Sequence, residues 1–247
     1  MRGHLSFGGH DFGELFYCHA EKPLLPPMEV AELTVDGMDG ARFSRSTARP
    51  VEIEAVMVLR EPKQSQERLR AVVDDVAGHL AAKDAELYLP GYEDRCYMAS
   101  VSGTSSIEEF VSTARLRVTF RASSPFMLGR KRSAEIVDGS NTVKRGGNAP
   151  AAFVFTGKTM GATSYIRLRK GTATANPRVI LYANKLNDDD AWDANVPIVI
   201  DMGNRIATAN GARWPININS DFWLLDESTN VHATSVEGAI EWRETWL

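Results

Sequence analysis

The sequence predicts a mainly β protein: an α+β first domain with one helix, then a second domain that is a β-sandwich. Three observations carry this. Residues 114–122, ARLRVTFRA, alternate strictly, with Leu116, Val118 and Phe120 on one side and Arg115, Arg117, Thr119 and Arg121 on the other, the period of a half-buried strand. Residues 63–83 hold a single apolar stripe at helical spacing, built from Leu69, Val72, Val73, Val76 and Leu80. From residue 151 onward, short apolar runs are separated by turn clusters, with no helical period among them.

Taken in order, residues 1–20 mix glycine with aromatics and suggest a short hairpin. EKPLLPPMEV carries Pro23, Pro26 and Pro27, which lack an amide donor, so it reads as an extended connector. VDGMDGARF at 35–43 and a short polar stretch lead into VEIEAVMVL at 51–59, a strand rich in β-branched residues. After the helix, Pro90-Gly91 is a turn between two strands, and ARLRVTFRA closes the first domain. The texture then changes to glycine, asparagine, serine and charge, and the domain boundary falls near 128–133, giving domains of 1–130 and 131–247. Arg130, Lys131 and Arg132 read there as a solvated linker. The sandwich strands are expected in AAFVFTG, SYIRLRK, RVILYAN, VPIVIDMG, RIATANG, WPININS, DFWLLD and AIEWRETWL. Trp242 and Trp246 share one face of the last strand and read as core.

A chain of 247 residues can bury a core without staples. Its formal net charge of -4 argues against general nucleic-acid binding, which needs a basic face. Two cysteines, Cys18 and Cys96, are too few for a disulfide framework and read as reduced thiols. No apolar run approaches the roughly 20 residues of a membrane helix, so no membrane insertion is expected. The N-terminal stretch lacks a signal-peptide core, which points to a cytosolic site of synthesis and assembly.

Catalytic chemistry has no candidate constellation. No two of the five histidines, His4, His10, His19, His79 and His232, fall at a spacing that would put both on one helix face with a carboxylate, and no Cys-x-x-Cys, Gly-x-Ser-x-Gly elbow or phosphate loop occurs. No cofactor is implied. LNDDDAWDAN, with Asp188, Asp189 and Asp190, is either an acidic surface loop or an ion site; the acidic loop is favoured because no calcium-loop pattern surrounds it. Trp192, Trp214 and Trp223 would suit sugar stacking, but aromatics of an all-β domain usually fill the core. Asp36 and Asp39 are too few oxygens for a metal site, and no helix follows to cradle a phosphate. Asp36-Gly37 and Asp39-Gly40 therefore read as turn signals.

The order of these pieces resembles a known family. The proline-rich lead-in, VDGMDGARF, a buried strand, a helix with ERLRAVV and AGHL, a hairpin carrying RCYMASVSG, ARLRVTFRASSPFMLG, and a sandwich ending in SVEGAIEWRETWL are similar, over the whole chain, to the distal tail (Dit) proteins of siphoviruses and prophages. The resemblance implies a β-rich N-terminal domain with a helix that joins copies of itself in a hexameric ring. It also implies a galectin-like β-sandwich outside the ring; the apolar ending EWRETWL suggests in addition an anchored last strand that returns toward the first domain. Such a baseplate hub is a virion structural protein at the phage tail tip, assembled in the host cytoplasm, and not an enzyme. It joins the tail tube protein to the tail-tip or tail-associated protein, and in many phages to receptor-binding proteins. DNA would pass only transiently through the ring lumen. On this reading Asp36, Gly37, Met38, Asp39, Gly40 and Arg42 are the candidate ring interface, Arg42 being weighed against a plain surface arginine. Arg115, Arg117 and Arg121 are the candidate lumen face, although such channels are often acidic or mixed. A carbohydrate-binding adhesion module is the alternative reading.

Overall fold

A computed structural model describes residues 4–34, 36, 39–62, 65–183 and 191–247. The chain divides into two compact units, Met1–Leu128 together with Leu247, and Gly129–Trp246. The protein is mainly β, in antiparallel sheets.

The first unit contains β1 (Ser6–Phe7), β2 (His10–Asp11), β3 (Phe16–Glu21), β4 (Met28–Leu33), β5 (Arg42–Ala48), β6 (Val51–Leu59), α1 (Gln66–Leu80), β7 (Ala85–Tyr88), β8 (Tyr97–Thr104), α2 (Ile107–Thr113) and β9 (Arg115–Ala122). Seven strands form one sheet in the order β2-β1-β7-β8-β9-β6-β3, while β4 and β5 form a separate two-stranded sheet. Val51, Ile53, Ala55, Met57 and Leu59 alternate inward along β6. They meet Leu116, Val118, Phe120 and Ala122 of β9 in register, Ile53 opposite Phe120 and Met57 opposite Leu116. The period of two read from ARLRVTFRA is the alternation that fills this core.

The helix α1 begins where Ser65 caps it, its hydroxyl accepting from the Arg68 amide at 3.3 Å. It buries Leu69, Val76 and Leu80, members of the stripe seen in the sequence. A second helix corrects the one-helix expectation. In α2, Ser106 accepts from the Glu109 amide at 3.1 Å, Phe110 is buried, and Ala114 ends the helix in the left-handed region at φ 52°. About two turns of helix with one buried aromatic leave too short a stripe to recognise by period.

The second unit contains β10 (Met127–Ile136), β11 (Gly139–Lys144), β12 (Phe153–Thr159), β13 (Tyr165–Lys170), β14 (Arg178–Tyr182), β15 (Pro197–Asp201), β16 (Ile206–Ala209), β17 (Ala212–Arg213), β18 (Ser228–Thr234) and β19 (Val236–Trp246). A six-stranded sheet, β10-β19-β12-β15-β16-β17, and a four-stranded sheet, β11-β18-β13-β14, share one core. Phe153, Phe155, Ile198, Ile200 and Ile240 come from the first sheet, and Ile166, Leu168, Val179, Leu181 and Val231 from the second. Two sheets around one apolar layer make the expected sandwich.

Several expected details change. WPININS and DFWLLD are not strands; Leu225 makes an isolated bridge to Ala151, and the segment is otherwise irregular. Arg130, Lys131 and Arg132 lie within β10, not in a linker, and Arg132 pairs with Glu244 of β19 at 2.7 Å. Strands β10, β11 and β18 were hidden by polar composition, since each packs only one side and the other side is solvated. Trp192 and Trp223 are buried, and Trp214 packs against the same core. Trp242 is buried and donates its indole N–H to the Arg145 carbonyl at 2.6 Å.

Candidate assembly surface

The least finished part of the first unit is the β4–β5 hairpin. Among the described residues it pairs with no other sheet, although an isolated two-stranded hairpin is at best marginally stable in water. Its base is tied by the Arg49 amide donating to the Pro27 carbonyl at 2.7 Å and by an ion pair between Arg49 and Glu29. Almost every side chain in it is exposed.

The register sorts those side chains. Met28 faces Ala48, Val30 faces Ser46, and after an irregularity at Ala31/Glu32 Phe43 faces Glu32. Residues directly opposite each other point to the same side of a sheet. The bulge therefore keeps Phe43 on the side of Val30 and Met28. These three are 67, 49 and 51% exposed. Leu24, in the proline-rich lead-in, is 88% exposed. Single exposed apolar residues need no explanation, but a cluster on one hairpin face makes a candidate interaction surface. Free strand edges add unpaired backbone donors and acceptors, the usual template for strand addition.

The acidic-glycine segment is the connection between β4 and β5. Gly40 has φ +83°, which glycine adopts at no steric cost, as the turn reading requires. Asp36, Asp39 and Arg42 are exposed at this end of the hairpin, and Arg42 is the cross-strand partner of Leu33. Gly37 and Met38 lie outside the described residues. The sequence reading missed β5 itself, taking RFSRSTA as a polar connection. The available signal was its complement, MEVAEL, across two Asp-Gly steps.

Arg115, Arg117 and Arg121 are exposed on the outward side of β9. Arg121 stands opposite Glu52, and Arg117 reaches Glu109 of α2 at 3.9 Å. Exposed Glu54 lies on the same outward side of β6, so this sheet face is mixed in charge. On the apolar side, α1 and α2 leave a cleft of about 350 Å³ between Val73, Val76, Leu80, Ile107 and Phe110.

No three His, Cys, Asp or Glu side chains gather into a metal-holding group among the described residues. Asp188, Asp189 and Asp190 lie outside them. Among the described residues, no helix is long and apolar enough to cross a membrane. Cys18 and Cys96 form no disulfide among the described residues, and burial pushes the Cys18 thiol up to about 11, out of the reactive range.

No protein-family model matches the chain, and no curated protein sequence does. Solved structures do. The chain aligns with the phage P2 baseplate structure in its activated conformation with Ca at 11% identity over 98% of both chains, with a TM-score of 0.47, too low to carry an argument. It aligns with the SPP1 Dit (gp 19.1) protein, described as a paradigm of the hub adsorption apparatus in phages infecting Gram-positive bacteria, at 13% identity over 99% of both chains. The TM-score there is 0.77, so the two proteins share a fold from end to end.

Proposed function

We propose that this chain is a distal tail hub subunit, a non-enzymatic virion structural protein at the tip of a siphovirus or prophage tail. Six copies form a ring that joins the tail tube protein to the tail-tip protein and, at its side, to receptor-binding proteins. Residues 1–130 form the ring, and residues 131–247 are a galectin-like sandwich outside it. The observation that supports this reading most is the full-length fold shared with SPP1 Dit, in a chain that carries a separate two-stranded hairpin with Met28, Val30 and Phe43 exposed on one side. In the ring the hairpin of each copy lies on its neighbour, with Asp36, Gly37, Met38, Asp39, Gly40 and Arg42 at that boundary. This is a heterologous contact that closes by rotation. The mixed charge around Arg115, Arg117 and Arg121 suits a lumen that DNA must pass without sticking, since strong phosphate binding needs uncompensated basic charge.

The alternative, a carbohydrate-binding adhesion module, drew on Trp192, Trp214 and Trp223. Those rings pack in or against the core, Trp192 and Trp214 at 5.6 Å between centroids, and offer no stacking platform.

Sedimentation velocity over a concentration series, with negative-stain electron microscopy, tests the proposal. Hexamers with a central channel are expected. A chain that stays monomeric throughout, alone and with its tail-tube partner, would overturn it. Replacing residues 28–48 with a short flexible linker is expected to abolish the ring while leaving the far-ultraviolet spectrum of a β protein.

A further inference from the structure

The sheet β11-β18-β13-β14 has an inner side that carries Val143, Ile166, Leu168, Val179, Leu181, Val231 and Ala233 into the core, with Thr229 among them, and an outer side of a different kind. Its four strands contain no aspartate or glutamate at all. On the outer side, Arg169 of β13 stands directly opposite Arg178 of β14 on one flank and His232 of β18 on the other. Arg167, two residues before, stands opposite Thr234. Opposite residues have Cβ atoms about 5 Å apart, so three guanidinium groups and an imidazole converge on one small area.

Like charges placed opposite each other destabilise a sheet, and buried charges normally have partners. Elsewhere in the unit that rule holds. Arg145, also buried, donates to the Gly146 and Gly147 carbonyls, and buried Glu244 takes Arg132. Arg169 is only 5% exposed, yet its Nε has no hydrogen-bond partner within the described chain. The same is true of Nε of Arg167, Nε of Arg178, Nδ1 of His232 and Oγ1 of Thr234. Burial disfavours the charged form of Arg169, and the neighbouring Arg167 and Arg178 disfavour it further. An arginine nevertheless stays cationic at any biological pH. Arg167 is also held by the Tyr165 ring, 5.3 Å from its centroid, so its fork is positioned before any ligand arrives.

We infer that the outer face of this sheet, centred on Arg169, is an oxyanion-binding site built for phosphate groups. The unpartnered polar atoms on this sheet face and three guanidinium charges, on strands without a carboxylate, are both satisfied by the same partner. A single carboxylate would neutralise one guanidinium. A phosphate group accepts from two or more forks at once, and neighbouring phosphates on one polymer fit arginines spaced across adjacent strands. The site does not depend on ring formation and stands whether or not the chain is a tail hub.

The test is calorimetric titration of the full chain at low salt with two probes, inorganic phosphate and linear polyphosphate, together with thermal melting in each. Saturable polyphosphate binding is expected, weakening steeply with added salt, with inorganic phosphate at least tenfold weaker. A raised melting temperature should accompany it. Arg167→Gln with Arg178→Gln, both only partly buried, should cut polyphosphate affinity at least tenfold while leaving the ligand-free melting temperature equal or higher. Lys131→Gln, on the other sheet, should change neither. Equal binding of both probes would assign the site to a free anion and not to a polymer, overturning the polymer part of the proposal. Absence of saturable binding by either probe, or wild-type binding by the double variant, would overturn the site itself.

Discussion

The two units finish their interiors in the same way and their surfaces in opposite ways. Each core is an antiparallel sheet structure whose strands turn alternate apolar side chains inward, β6 and β9 in the first unit, β13 and β14 in the second. In the first unit the unfinished surface is apolar and backbone-edged: Phe43, Val30 and Met28 on a hairpin that no other strand supports among the described residues. In the second it is polar and cationic: Arg167, Arg169 and Arg178 on a sheet without a single carboxylate. The difference teaches what each surface is waiting for. An apolar face with free strand edges is completed by another protein chain, where area and main-chain bonds are gained together. A cluster of unmatched donors is completed by anions, where charge is gained and little area is needed.

The largest effect expected comes from separating buried from exposed aromatics in the first unit. Phe120 is fully buried and touches Phe7 with ring centroids 5.1 Å apart. Phe120→Ala should lose about 3–5 kcal/mol in urea denaturation, the transfer loss plus an unfilled cavity. Phe43→Ser removes a ring of similar size from the hairpin, yet should change the stability of the dissociated chain by only about 0.5 kcal/mol. Its effect should appear in assembly, as at least a tenfold weaker association by sedimentation. If Phe43→Ser destabilised the monomer as Phe120→Ala does, the hairpin would be completed within its own chain and the comparison between the units would fail.

How much of this could be read from residues alone follows from the same contrast. ARLRVTFRA and VEIEAVMVL declared themselves because one side is buried and the other solvated, so composition and period coincide. The helix stripe from Leu69 to Leu80 did so for the same reason. The β5 strand, RFSRSTA, did not, because neither of its sides is buried within the chain and no hydrophobic alternation is imposed on it. STNVHAT of β18 was lost because only Val231 and Ala233 mark its inner side. WPININS looked like a strand and is not, since Trp214 and Ile216 pack on the core from an irregular segment beside β14, where the Asn217 amide bonds the Ile180 carbonyl. The positions proposed for the ring interface were legible as turn residues, but what leaves their hairpin exposed is strand pairing, a non-local fact. The arginine face was visible only in part. SYIRLRK shows its two cations, whereas their partners on β14 and β18 come from far along the chain.

A second effect, intermediate in size, follows from burial in the first unit. The Cys18 thiol is raised from 9.0 to about 11, chiefly by burial, with Asp11 adding to it and Arg60 opposing it. Burial raises Tyr97 to about 12. In each case the folded chain holds its proton more tightly than the unfolded chain. The stabilisation is therefore complete below about pH 9 and is lost as pH rises through about 11 for Cys18, with Tyr97 following at about 12. Alkylation by iodoacetamide, mapped to Cys18 by mass, should run about 100-fold slower at pH 8 than for a free thiol and rise tenfold per pH unit. Alkylation at the rate of a free thiol would show that β3 opens readily. The second unit carries the opposite sign: the Arg169 shift is downward, so no stability there is lost by moderate alkali.

The smallest effect isolates the repulsion in that second unit. Arg178→Glu places a carboxylate directly opposite Arg169 and removes a like-charge pair at the same stroke. In ligand-free, low-salt buffer this should stabilise the chain by about 0.5–1 kcal/mol, the range of cross-strand charge pairs. The gain should shrink as salt screens it. In polyphosphate the order should reverse, because the wild type gains a partner for three guanidinium groups and the variant has spent one of them on its own carboxylate. A variant that is less stable than the wild type without ligand would mean that Arg178 already has a partner the chain provides. The second unit would then be as complete by itself as its core is, and the unfinished surfaces of this protein would be confined to the hairpin of the first.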